Sequence, residues 1–236
     1  MTENASQSAR ARVRAALTSE ILDAARAELA DKGAADLSVR AVARRLGMVP
    51  SALYRYFPSR DLLLTALIVE AYEAVGAAAG TADDTARAAG ASPMERWLAV
   101  CSAVRAWAGG HPRRWALVYG SPVPGYRAPE DTIEAASLVA RVMARILVDA
   151  GAGPAPAAVF PPPPAGMAAV VAPVRDLLLP GCRAEQVVAA LMVWTQLIGT
   201  VSLELFGHYE GTTTDFDAVF LYAMETAGRL AGLDGL

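Results

Sequence analysis

Imidazole and thiol chemistry are scarce in this chain. Its 236 residues hold two histidines, His111 and His208, and two cysteines, Cys101 and Cys182. No spacing among these and the carboxylates matches a metal-ligand cluster, and no phosphate-cradling glycine loop or nucleophile elbow accompanies them. The expectation is a protein that is not an enzyme and uses no cofactor and no metal; a helical small-molecule enzyme is the weakest alternative. His111 stands before Pro112 at a helix start, where a structural role is natural. The cysteines lie far apart and no apolar leader precedes them, which fits free thiols in a reducing cytoplasm.

Arginine is what the N-terminus supplies instead. Residues 1–60 carry ten Lys/Arg against six Asp/Glu, a balance of +4. The remainder carry eleven against eighteen, a balance of −7, and the two sum to the net charge of −3. A polyanion would dock on the first segment and avoid the second. Large aromatics lie elsewhere: Trp97, Trp107, Trp115 and Trp194 all follow residue 90, on helices expected to converge. With Cys101, Tyr119 and Met143 they would line a pocket for a flat or lipophilic small molecule, ordinary core packing being the alternative.

The elements that must position these groups read as helices. Hydrophobic residues make up 54% of the chain, enough for a sizeable core, and alternating β-branched patterns are scarce. Residues 1–16, with Arg10, Arg12 and Arg14 spaced two apart, read as a flexible basic arm. A first helix is expected from Thr18 to Lys32, stopped at Gly33, and a second from Val39 to Leu46, capped by Ser38 and ended at Gly47. A third lies within Val49–Tyr56, and a fourth runs from Arg60 to Val75 behind Ser59. Gly80 to Ala91 reads as a loop. Ser92-Pro93-Met94-Glu95 is a capping-box start for the next helix. Further helices are expected at 112–119, at 130–150, around 167–178 with a kink at Pro173, at 184–206 and at 216–230. The proline-rich stretch 151–164 reads as a stiff spacer. Val187–Leu203 carries no charge but falls short of the ~20 residues a bilayer span needs, so a buried helix and no membrane are expected.

Two helices joined at a glycine, the second opening just beyond it, are the parts of a helix-turn-helix: one braces on phosphates while the other enters the major groove. The segment Leu37-Ser38-Val39-Arg40-Ala41-Val42-Ala43-Arg44-Arg45-Leu46-Gly47 closely resembles the second helix and turn of the TetR family. Met48-Val49-Pro50-Ser51-Ala52-Leu53-Tyr54-Arg55-Tyr56-Phe57 and Pro58-Ser59-Arg60-Asp61-Leu62-Leu63 are similar to its recognition helix and connecting helix. Pro112–Tyr126 and Gln196–His208 resemble actinobacterial members more loosely. The resemblance implies an all-α fold: an N-terminal three-helix DNA-binding domain over 17–62, and an antiparallel helix bundle over 63–236 for ligand sensing and homodimerisation. It also implies roles. Arg40 would reach a base or phosphate, and Pro50, Ser51 and Ala52 would face base edges. Tyr54, Tyr56 and Arg60 would hold phosphates, with Arg55 and Ser38 beside them. Val49 departs from the pattern, since the family usually has a capping hydroxyl residue there.

Two readers one helical turn apart require a twofold axis and a pseudo-palindromic double-stranded DNA operator. The last two helices are the candidates for pairing. Thr195, Gly199 and Ser202 give a small-residue face, and Phe216, Phe220, Ala223 and Ala227 a matching stripe. Gln196, Thr200, Glu204 and His208 form a polar stripe, expected at a solvent-facing rim. The functional expectation is a repressor released from DNA by an unidentified lipophilic or aromatic effector. The alternative is a dimeric DNA-binding regulator with no effector, which a closed core would favour.

Overall fold

The computed structural model describes residues 2–151 and 163–233, with side chains from residue 11 onward in the first helix. Every regular element among the described residues is an α-helix: α1 (Thr2–Lys32), α2 (Val39–Arg45), α3 (Pro50–Tyr54), α4 (Arg60–Ala88), α5 (Pro93–Gly110) and α6 (Pro112–Tyr119). There follow α7 (Thr132–Ala136), α8 (Leu138–Asp149), α9 (Met167–Val170), α10 (Ala172–Leu178), α11 (Ala184–Leu205) and α12 (Phe216–Leu230). The chain forms two compact units. One comprises residues up to Ala71 together with Arg113–Ile133, the other Tyr72–Pro112 and Glu134 onward.

In the first unit Ile21, Ala25, Leu29, Val42, Leu53, Leu63 and Leu64 close a core. The turn between α2 and α3 is built by Gly47, whose φ of +66° lets the Met48 amide reach back to the Ala43 carbonyl at 2.9 Å. That left-handed closure satisfies carbonyls the end of α2 would otherwise leave orphaned, and a side chain at position 47 would strain it. Ser59 Oγ caps α4 by accepting from the Leu62 amide at 3.1 Å. Ser38 takes the N-cap backbone conformation, but its side chain makes no capping bond.

In the second unit α5 packs against α8, α11 and α12. The capping box is formed, with Ser92 Oγ accepting from the Glu95 amide and Glu95 Oε2 accepting from the Ser92 amide at 2.7 Å. Trp97 is buried and donates its indole N–H to the Met224 carbonyl at 2.7 Å, fastening α5 to α12. Gly228 permits that approach, because a Cβ there would stand 2.8 Å from Met94 Sδ and 3.0 Å from Trp97 Cδ1.

Several expectations fail, each for a visible reason. Residues 2–16 continue α1 as helix instead of forming an arm. The 80–91 segment is helical through Ala88, because Asp83 and Asp84 are tied to arginines of α5 and α8. The 130–150 helix breaks at Ser137, whose hydroxyl donates to the Glu134 carbonyl and leaves α7 a single turn. The break expected at Pro173 falls at Val171, so the proline sits in the first turn of α10, where its missing N–H costs nothing. The proline run up to Pro162 lies outside the described residues.

α4 and α11 are both long and apolar enough to cross a membrane by length and composition. α11, expected to be buried all round, is buried on one face only. Val187, Val193, Leu197 and Val201 point inward, while Leu191, Met192, Thr195 and Leu203 are exposed.

Candidate nucleic-acid interface

The first unit sorts its side chains by polarity around the α2–α3 pair. Leu37, Val39, Val42, Leu53 and Phe57 are buried, whereas Arg40, Arg44, Pro50, Ser51, Tyr54 and Arg55 are exposed. Ala52 and Tyr56 are half-buried. α3 opens at Val49, which has no side chain to cap with; Pro50 at its first position removes one of the amides needing a partner. The remaining free amides at this end favour an anion, and Ser51 adds a hydroxyl. Guanidinium, phenol and hydroxyl donors thus surround a short helix held from behind by Leu53 and Phe57. Such a surface can bind phosphates and present small side chains to base edges.

Two arginines are used differently from the expectation. Arg60, expected on phosphate, donates to the carbonyls of Ala34 at 2.8 Å, Ala35 at 3.0 Å and Leu37 at 3.1 Å. It ties the α1–α2 loop to the start of α4, so its donors are spent inside the unit. Arg14, expected in a loose arm, has its guanidinium carbon 5.4 Å from the centre of the Tyr56 ring. Arg45 bonds Asp31 on α1 and lies 3.4 Å from Glu28 Oε2. Glu28 is buried, and its hydrogen bond from Lys32, reinforced by Arg45, holds its carboxyl below the ordinary range against the opposing effect of burial.

The residues expected to line an effector pocket do not come together. Trp97 is a core latch, and Trp107 stacks on His111 at 5.0 Å between ring centres. Trp115 belongs to the first unit, where it pairs with Tyr119 at 4.4 Å. Trp194 is half-buried on α11, Met143 is buried, and Cys101 is buried so fully that its thiol pKa is pushed well up and its reactivity suppressed. Two open concavities mark the second unit, and neither has a tryptophan in its lining. One, of about 680 Å³, lies between α4 and α5 and is lined by Ala78, Thr81, Ala82, Thr85, Ala99 and Ala103, among others. The other, of about 530 Å³, lies along the outer face of α11 and includes Leu191, Met192, Thr195, Gly199 and Leu203.

The residues expected to pair protomers divide between inside and outside. Phe220 and Ala227 are buried within the protomer, and Phe220 stacks under the Arg105 guanidinium at 4.6 Å. Arg105 also spans Glu204 and Asp217, at 2.6–2.7 Å, and stands 5.3 Å from the Phe216 ring. The polar stripe of α11 is therefore not a solvent-facing rim. Thr200 is buried and accepts from Gln196 at 3.1 Å, and Glu204 is the partner of Arg105. Ala223 and Ser202 are half-buried, and Thr195 is exposed. A Cβ at Gly199 would meet nothing within 4 Å. The outward residues of α12 are instead Val219 and Tyr222, the latter 73% exposed.

A charge network that the sequence does not announce lies within the second unit. Asp83 is fully buried and accepts from Arg96 Nε at 2.6 Å, Arg96 Nη2 at 3.1 Å and Arg145 Nε at 2.8 Å. Arg96 also bonds Asp149, and Arg145 bonds Asp84. Burial pushes the Asp83 carboxyl upward, but the arginine hydrogen bonds outweigh it and hold it below its ordinary value of 3.8.

Against known proteins, residues 21–67 match the family model described as bacterial regulatory proteins, tetR family. Residues 97–227 match the one described as tetracyclin repressor-like, C-terminal domain. The HTH-type transcriptional regulator Rv1816 of Mycobacterium tuberculosis is 39% identical over 203 residues, 82% of each chain. The regulator Mb1846 of Mycobacterium bovis is similar to the same extent. The crystal structure described as that of regulatory protein SCO4313 is 32% identical with a TM-score of 0.74, covering 92% of this chain and 97% of its own.

Proposed function

The chain belongs to the TetR family of DNA-binding transcriptional regulators, and from that premise we propose that it acts as a homodimeric repressor, cytoplasmic with the chromosome it reads, that leaves a pseudo-palindromic operator when a small lipophilic effector binds. The observation carrying the DNA half is the exposed set Arg40, Pro50, Ser51, Tyr54 and Arg55 around the buried Leu53. Within it Arg40 and Ser51 are assigned to base edges or phosphate, Pro50 and Ala52 to apolar contacts, and Tyr54, Tyr56 and Arg55 to phosphates. Ser38, whose hydroxyl makes no capping bond, joins the phosphate set.

Selection of bound duplexes from a random pool should return one inverted repeat. Tyr54→Ala should weaken binding to every sequence alike. Arg40→Ala should in addition relax preference at one base position, by about 1–3 kcal/mol. Equal affinity of wild type and Tyr54→Ala for the selected duplex would remove Tyr54 from the interface.

Pairing is assigned to the outer faces of α11 and α12. Leu191, Met192, Leu203, Phe206, Val219 and Tyr222 are large apolar side chains left exposed by the protomer. Patches of this kind on a soluble chain mark a partner surface. A second copy related by a twofold would cover them and set the two α3 helices for successive major grooves.

Effector control is proposed from kinship and from the α4–α5 groove, whose volume falls in the range of small-molecule sites. Its alanine methyls and two threonine hydroxyls suit a compact lipophilic molecule. A compound that releases operator at least ten-fold must supply a coupling of at least ~1.4 kcal/mol. Ala82→Phe would fill the groove, and the variant is expected to bind operator normally and resist release. Release that persists unchanged in Ala82→Phe would place the effector elsewhere. The second reading, a regulator without effector, is favoured by one observation: Trp97 and Trp115 are fully buried, and no tryptophan lines either concavity.

A further inference from the structure

α1 is longer than its packing requires. Its apolar contacts begin at Ile21, and residues 11–16 are all exposed. Val13, the one large apolar side chain there, is 67% exposed, so this stretch buries no face against its own protein. It also has no apolar face for a bilayer. Between Asn4 and Ser19 the sequence contains three arginines, Arg10, Arg12 and Arg14, and no acidic residue. An isolated helical turn of this composition gains nothing from burial, and it keeps like charges close together.

From this stretch a side chain reaches across to the reader. The Arg14 guanidinium stacks over Tyr56, two residues beyond the end of α3. Stacking on a ring face uses the π-system and leaves the guanidinium N–H donors at the edge free for an anion. Tyr56 is itself among the residues assigned to phosphate. Arg12 is exposed in the same part of the helix.

We propose that the N-terminal extension of α1 is a second DNA-contacting element, in which Arg14, seated on Tyr56, and Arg12 neutralise phosphates flanking the site read by α3. The proposal rests on the DNA-binding reading above and adds to it a set of sequence-independent contacts. Only DNA phosphate is required as ligand, so the contribution must appear in the salt dependence.

Each phosphate deprived of its cation should take about 0.9 off the slope of log affinity against log salt. The variant Arg12→Ala/Arg14→Ala removes two cations per protomer, four per dimer. Its slope on the selected operator should be shallower by roughly 3–4, and its affinity at ~0.15 M salt lower by ten-fold or more. Arg12→Lys/Arg14→Lys should restore the slope, since lysine also serves as a phosphate cation. The thermal melt of either variant should match wild type, because the stretch is unpacked.

An unchanged slope and affinity in the alanine variant, with Tyr54→Ala still impaired, would overturn the extension and leave the reader intact. Reduced affinity at unchanged slope would make Arg14 a support for the Tyr56 ring, and would equally overturn the phosphate contact. Failure of the wild type to retain any selected duplex would overturn the DNA-binding reading and this element with it.

Discussion

Asp83→Ala is expected to destabilise the protein by about 3–5 kcal/mol, a large share of the 5–15 kcal/mol that holds a typical domain together. The carboxylate accepts from both Arg96 and Arg145, and Arg96 is itself buried. Removing it leaves a buried guanidinium with Asp149 alone. In a protein of this size the melting temperature should fall by roughly 6–20 °C. The loss comes from stranding the cation, so Asp83→Leu/Arg96→Met should recover much of it, two apolar groups replacing a matched pair.

The same group fixes the sign of the acid response. The folded carboxyl is held below 3.8, so between the two pKa values the unfolded chain binds more protons. The contribution is therefore complete above the ordinary value and is lost as pH falls through the folded one. Glu28, also lowered, acts in the same direction from its ordinary value of 4.5. Unfolding in denaturant, measured from pH 6 downward, should lose stability most steeply below ~4, and the Asp83→Leu/Arg96→Met chain should show a shallower fall. A melt of Asp83→Ala within about 2 °C of wild type would show that the network is dispensable.

Local chemistry is legible in the sequence; pairing across distance is not. Gly47, the Ser92–Glu95 box and the Pro112 start each act within a turn of chain, and each forms as its residues predict. The register of apolar and polar residues from Leu37 to Phe57 sorts into core and surface because helical spacing decides which face each occupies. Asp83 is hidden because Gly80 and the polar residues after it resemble a loop. What keeps them helical is Arg96 and Arg145, the latter 62 residues away. The tryptophans mislead for a related reason. A large aromatic announces burial, but not which neighbour it meets. Trp97 spends its one polar atom on Met224, 127 residues on, and closes the space a ligand would need. Phe220 reads as an outward residue from its stripe on α12, yet a helix with one buried stripe turns that stripe to its own core first. Arg105 above its ring confirms which side is inward.

That distinction sharpens the test of assembly. Phe220→Asp would place a carboxylate in the protomer core and unfold it, so its loss of DNA binding would say nothing about pairing. Leu191→Glu/Tyr222→Glu instead alters side chains already exposed on α11 and α12, and the isolated protomer should tolerate both. Across a twofold each substitution occurs twice, so four carboxylates would enter one apolar contact. At several kcal/mol for each charge left without a partner, even partial relief should weaken association by at least ~10³-fold. Light scattering at micromolar protein should then report a monomer with near-native helix content. Operator affinity should collapse with it, since a single reader engages only one half-site. A dimer that survives unchanged would show that these faces meet something other than a second copy. A monomer that still held the inverted repeat at full affinity would separate DNA binding from pairing altogether.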